Sequence, residues 1–230
     1  MNQIKKDLTM TTTITTTATT IKTRVLASLC LFLAMGSTVA FAESTRTLSQ
    51  SYAYSGQQVS LHMDIGSAKF IATDNSDIKI EVVVENADTS WLFFWGDTDL
   101  DAVSIESTVT ASEITLMLSE QDNIEQQWIV YLPKQAALSL EVGIGDIEVT
   151  GLSSNIDIAL GIGSARVEHQ TSFNTVELDS GIGEVSISEQ GKHLAVTENL
   201  VAQSYSSKNL SGEATLSVDV GVGEIVVVKL

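Results

Sequence analysis

The side chains best placed to do chemistry in this sequence are carboxylates at fixed offsets from a recurring Gly-x-Gly. The first glycines of four such triplets are Gly143, Gly161, Gly181 and Gly221. Two residues before them stand Glu141, Ala159, Asp179 and Asp219; three residues after them stand Asp146, Ser164, Glu184 and Glu224. A further copy centred on Asn199 would add Thr197 and Ala202, so that carboxylates alternate with neutral residues in both columns. Calcium takes several carboxylate and carbonyl oxygens, which makes Asp146, Asp179, Glu184, Asp219 and Glu224 candidate cation ligands. The alternation also keeps like charges about 10 Å apart, near the Debye length, when copies stack. No copy carries the GGxGxDxUx spacing of calcium-binding rolls. Charge relief is therefore the preferred explanation, and no metal or cofactor is expected.

Other reactive types give less. His62, His169 and His193 fall on polar positions of separate repeats without metal-ligand spacing, and are expected to be solvated. The Gly-x-Gly triplets lack a third glycine and a following helix, which excludes a dinucleotide site. Serines have no GxSxG elbow to sit on. Carboxylates for glycoside cleavage abound, but no pair is set apart by an apolar or basic neighbourhood. No catalytic residue is assigned, and the chain is expected not to be an enzyme. One aromatic cluster stands out, WLFFWGD from Trp91 to Asp97. Trp91, Phe93, Phe94 and Trp95 either grip a partner or cap the open end of a repeat stack.

The elements that must position these residues are strands. Each copy is an alternating segment, the glycine corner and a second alternating segment: LSLEVGIGDIEV, IDIALGIGSARV, VELDSGIGEVSI and LSVDVGVGEIVV. The first glycines are 18, 20 and 40 residues apart. Counting from the first glycine as zero, positions −5, −3, −1, +1, +4 and +6 are aliphatic in every copy except for Ser180. Period-2 alternation predicts strands with one buried face. The glycines predict a corner with positive φ, whose middle residue is expected to point inward. One repeat of 20 residues cannot bury its own apolar face, whereas stacked copies can. VSLHMDIGSAKF, from Val59, is a degenerate first copy with Asp64 at the first glycine and Gly66 at the second. LAVTENLVAQSY, from Leu194, is expected to be a further rung inside the 40-residue step, with Asn199 at the corner.

The rest of the chain sets limits on location and partners. Lys5, Lys6, Lys22 and Arg24, the apolar stretch Val25–Met35, and Ala40-Phe41-Ala42 make a secretory signal peptide over residues 1–42. Met10 is an alternative start. The apolar stretch is too short for a spanning helix. Cys30 follows Leu29, where a lipoprotein signal would want a small residue, so no lipid is expected. Removing four basic residues and Asp7 takes the net charge from −17 to −20. Nucleic acid and anionic membrane surfaces are thereby excluded as partners, since both need a basic footprint. Residues 43–230 contain no cysteine and a single proline, which suits one domain. Its N-terminal part, 43–135, supplies a first rung and capping strands; 136–230 supplies the regular rungs. Ile78–Glu85, Val103–Val109, Ile114–Leu118 and Trp128–Leu132 also read as strands.

The run from Trp128, WIVYLPKQAALSLEVGIGDIEVTGLSSNIDIALGIGSARVEH, resembles the bacterial putative-adhesin β-solenoid family, also called toast-rack domains. The carrying elements are Val130-Tyr131-Leu132-Pro133, a strand ending in proline, and the corner Gly145-Asp146-Ile147. The likeness covers Val59 to Leu230, and departs in using Gly-Ile-Gly where many members have Ser-Gly. It implies an all-β fold, a right-angled single-stranded solenoid or parallel roll of five to six short rungs with extra N-terminal strands. It also implies a non-enzymatic envelope protein, adhesin-like or a scaffold, periplasmic or extracellular, with a protein or glycan as partner. A periplasmic regulatory domain in envelope-stress signalling is the alternative; a polysaccharide-active β-helix enzyme is the second. The last strand, Gly223–Leu230, is strongly β-forming and has no polar cap after it. Val226 and Val228 are therefore candidate contacts for self-association through an open C-terminal edge.

Overall fold

The structure, a computed structural model, describes residues 45–87 and 98–230. The signal-peptide segment 1–42 and the aromatic cluster Trp91–Asp97 lie outside the described residues. The described chain is all β, a single sheet of 13 strands with one 3-10 turn at Leu100–Ala102. The strands are β1 (Thr45–Ala53), β2 (Gln58–Thr73), β3 (Asp77–Asn86), β4 (Ile105–Val109), β5 (Glu113–Leu118), β6 (Ile124–Pro133) and β7 (Leu138–Thr150). After them come β8 (Ile156–His169), β9 (Thr175–Glu189), β10 (Lys192–His193), β11 (Thr197–Asn199), β12 (Ala202–Lys208) and β13 (Thr215–Lys229). The main path through the sheet is β1-β3-β6-β2-β7-β8-β13-β9-β12-β11. The strands expected at Ile78, Val103, Ile114 and Trp128 are β3, β4, β5 and β6.

Four long strands carry the Gly-x-Gly sequence and β2 carries its Asp64-Ile65-Gly66 variant; the five run parallel in one register. Gly66 pairs with Gly145, Gly145 with Gly163, Gly163 with Gly223, and Gly223 with Gly183. Alternation holds on both sides of each corner but slips by one residue across it. Positions −5, −3 and −1 of β7 are buried (Leu138, Leu140, Val142), and then positions +4 and +6 (Ile147, Val149). Both arms of the strand thus face the same core, which they would not do in a straight strand. The inward columns of the four regular copies follow the sequence expectation from −5 to −1 and at +4 and +6. Ser180 is buried, and its hydroxyl donates to the Gly223 carbonyl at 2.9 Å.

The corner residue breaks the expectation. Ile65, Ile144, Ile162, Val222 and Ile182, the residues between the paired corner positions, are 44%, 46%, 49%, 41% and 52% exposed. They point out, because the second glycine takes φ between +141° and +154° in these strands and turns the pleat over before it. A Cβ on that second glycine would collide with a backbone oxygen of the neighbouring strand, that of a corner glycine for Gly145, Gly163, Gly183 and Gly223 and that of Gln126 for Gly66. The first glycine has no positive φ; its constraint is approach, with an added Cβ 2.5–2.8 Å from the next strand's carbonyl oxygen. Asp64 is admissible there because on that side β5 pairs with β2 only up to Leu61 and β6 only from Gly66, which leaves Asp64 between them. Its N–H instead donates to Gln121 Oε1 at 3.0 Å. Gln121 Oε1 also accepts from Gln126 Nε2, and Gln126 Oε1 from the buried Trp128 indole at 2.9 Å.

Two further expectations are corrected. The segment from Leu194 is no parallel rung: β11 and β12 form a hairpin, and β12 lies antiparallel on β9, Tyr205 opposite Leu178. The left-handed residue there is Leu200 (φ 54°), not Asn199. With Glu198 and Gln203 on its would-be inward positions, this segment cannot offer a continuous apolar face. Second, the copies do not stack in chain order. β13 enters between β8 and β9, pairing with both along nearly its whole length. The C-terminal strand is therefore interior to the sheet and is not an open edge. Val226 pairs with Arg166 on one side and Ser186 on the other, Val228 with Glu168 and Ser188.

Candidate functional site

Beyond the corner, positions +3 and +5 of each long strand point outward, and the register aligns them with the N-terminal strands. One row reads Thr47, Val83, Gln127, Ser67, Asp146 and Ser164 across β1, β3, β6, β2, β7 and β8. The second reads Glu81, Ile129, Lys69, Glu148 and Arg166 across the last five of these. At one strand spacing per step, the longer row extends about 24 Å. Together these rows line an open groove of about 450 Å³. Its two cations, Lys69 and Arg166, come from the repeats on either side of β7, at the same offset. Lys69 Nζ donates to Glu148 Oε2 at 2.8 Å across β2 and β7, and Arg166 Nη2 lies 2.6 Å from Glu168 Oε1. Val83 is half-buried and Ile129 is 36% exposed, so apolar surface lies between acidic Glu81 and basic Lys69. Such a surface offers hydrogen bonds, ion pairs and an apolar patch to an extended ligand.

The candidate cation ligands fall otherwise than expected. Asp146 lies in the groove, and Ser164 of β8 separates it from Glu224 along the +3 row. Because β13 lies beside β9, Asp219 is opposite Asp179 and Glu224 opposite Glu184. Carboxylates therefore abut across adjacent strands, and the spacing of like charges argued from chain order does not exist at this end. Among the described residues no three His, Cys, Asp or Glu side chains converge to hold a metal ion. His62 Nδ1 lies 3.0 Å from Glu141 Oε2 of the adjacent strand. His169, expected at the surface, is instead buried against Phe173, its ring centroid 4.7 Å away. Burial holds its pKa below the ordinary value, opposed by its hydrogen bond to the Thr171 carbonyl. Lys229 pairs with Glu189 nearby and holds that carboxyl below its ordinary range.

The groove was missed in the sequence because its N-terminal half comes from strands outside the repeat. The signal was present in part: Lys69, Glu148 and Arg166 share one offset from their corners. What the sequence left open was that β6 and β3 continue the row on the other side of β2.

No family model matches the chain, and no curated protein matches it either. Among solved structures it is similar to a putative cell adhesion protein from Clostridium sporogenes, at 13% identity and a TM-score of 0.46, over 80% of this chain and 100% of that one. A putative adhesin from Parabacteroides merdae is similar at 9% identity and a TM-score of 0.28, over 63% of this chain and 64% of that one. A putative adhesin from Bacteroides fragilis is similar at 8% identity and a TM-score of 0.26, over 80% and 98%. These neighbours are thus named for adhesion. At such identities and scores they assign no role to any residue.

Proposed function

We propose that this chain is a non-enzymatic, exported interaction module of the cell envelope, adhesin-like in that it binds by surface contact and turns nothing over. The carrying observation is the groove: two registered rows of outward side chains, set on strands whose opposite face is core. A site on rigid strands holds its side chains in place without a lid or hinge, which suits recognition of an extended protein or glycan segment. In this reading the five bent strands are the rungs of a parallel roll. Their linkers close its third side, because Ala136, Leu152 and Phe173 lie in them and are buried with the core. The pattern of residues 1–42 supports export, and no helix among the described residues is long and apolar enough to cross a membrane.

The test is retention. Purified protein is immobilised and exposed to envelope extracts and to a panel of soluble polysaccharides, beside the double variant Ile129→Glu with Arg166→Glu. The variant should keep its melting temperature within a few degrees and lose the retained species. Equal retention by both proteins would remove the groove from the proposal. Release of saccharide fragments would overturn the non-enzymatic reading itself.

A further inference from the structure

A second surface lies two residues before the groove rows, along the corner itself. Ile65, Ile144, Ile162, Val222 and Ile182 form an unbroken row across β2, β7, β8, β13 and β9, each opposite the next. Between 41% and 52% of each is exposed. Glycines on both sides, with Asp64 as the one exception, leave this row standing clear of neighbouring side chains. It is about 19 Å long at one strand spacing per step. A row of aliphatics this long is the kind of exposed apolar patch that marks an interaction surface.

What flanks the row names the partner. On the −2 side stand Glu141, Asp219 and Asp179; on the +3 side stand Asp146, Glu224 and Glu184. Three of the five strands thus carry a carboxylate on both sides of the aliphatic residue, and the β13–β9 end carries four. A second copy of this chain would bring carboxylates against carboxylates. A cationic partner with an apolar stripe matches both features, and the pitch selects its secondary structure. The row repeats every ~4.8 Å. A strand laid along it presents same-face side chains every ~6.6 Å and falls out of step within two contacts. A helix presents its stripe every ~5.4 Å, and 13 residues of helix cover the whole row at a rise of ~1.5 Å per residue. We propose that this ridge is the docking site for a basic amphipathic helix of another protein, its apolar stripe along Ile65–Ile182 and its Lys or Arg flanks on the two acidic rails. The proposal is independent of the groove and survives the failure of that reading.

The probe is a synthetic 14-residue helix with a leucine stripe flanked by lysines, titrated into the purified protein and followed by fluorescence anisotropy. Two controls accompany it, a scrambled peptide of the same composition and one with glutamate in place of lysine. The designed peptide should bind at least tenfold tighter than either control, and salt should weaken it. Ile144→Ser with Ile162→Ser should cost tenfold or more. So should Asp179→Asn, Asp219→Asn, Glu184→Gln and Glu224→Gln combined. Since the two isoleucines face solvent, the serine variant should melt with wild type. Ile144→Thr with Ile162→Thr keeps the β-branch and gives the same reading if serine loosens the strands. Equal binding of the scrambled peptide would show generic attraction to an acidic protein and overturn the proposal. So would a serine variant binding within twofold of wild type. Wild-type dimers dispersed by the serine substitutions would assign the ridge to a second copy and overturn it as well.

Discussion

At the scale of single residues, the two glycines of each corner do different work, and their substitution should show it. Gly163 takes φ +141°, and an alanine methyl there would overlap the Gly145 carbonyl oxygen of the adjacent strand. Both strain and overlap must be relieved by moving backbone at the centre of the stack. Gly163→Ala is expected to destabilise by about 3 kcal/mol or more. Gly191 sits at a turn with φ +76° and nothing within 4 Å of an added methyl. Gly191→Ala pays only for its left-handed backbone, about 1 kcal/mol. Thermal melts of the two variants should therefore differ by several degrees, and matching melts would mean that the corner relaxes freely. The corner was legible as glycine-dependent from sequence. The direction of its middle residue was not, because an aliphatic between two glycines fits an inward pleat and an outward knob equally well on composition. His169 shows the same limit. It reads as a polar end of a strand, yet the turn after β8 folds its ring over Phe173, a contact set by the linker's path.

At the scale of elements, the strands were legible and their neighbours were not. Alternation marked the long strands and the +4 and +6 inward positions, since burial of one face imposes period 2 wherever the strand lies. Order in the sheet follows from the links. Five residues join β7 to β8, which are adjacent, and five join β8 to β9, which are separated by β13. Five extended residues reach ~17 Å, enough to cross one strand spacing or two, so linker length could not decide between them. The consequence is the doubled carboxylates of β13 and β9. Asp219 and Asp179 face each other on adjacent strands, as do Glu224 and Glu184, and like charges directly opposite are destabilising. Asp219→Asn should raise stability by about 0.2–1 kcal/mol in low salt, an increment that molar sodium chloride removes by screening. Denaturant melts at the two ionic strengths check this. A loss of stability in the Asp219→Asn variant at low salt would mean that the aspartate makes a favourable contact instead.

At the scale of the whole molecule, the insertion of β13 turns the C-terminus from an end into a keystone. Read in chain order, Gly223–Leu230 would be the last strand, with one side unpaired, and trimming it would free an edge and alter association. In the structure its Ile225 and Val227 are buried, at 0% and 1% exposure, and its backbone pairs with β8 on one side and β9 on the other. The edge on that side of the sheet belongs to β11 and β12, short and largely polar strands that suit an exposed border. The third copy, β9, meets the rest of the parallel stack through β13 alone, since its other partners are β10 and β12. Deleting Ile225–Leu230 removes the +4 and +6 core residues of β13 and unpairs the second arm of β9 and that flank of β8. The two aliphatics alone are worth about 3–6 kcal/mol of burial, comparable to the whole stability of many domains. The truncated chain should therefore lose its cooperative thermal transition and its near-ultraviolet circular dichroism, and should aggregate as unpaired strands are exposed. A truncated protein that melts cooperatively near the wild-type temperature, as a soluble monomer, would mean that β13 lies at the border after all and that the copies stack in the order in which the chain presents them.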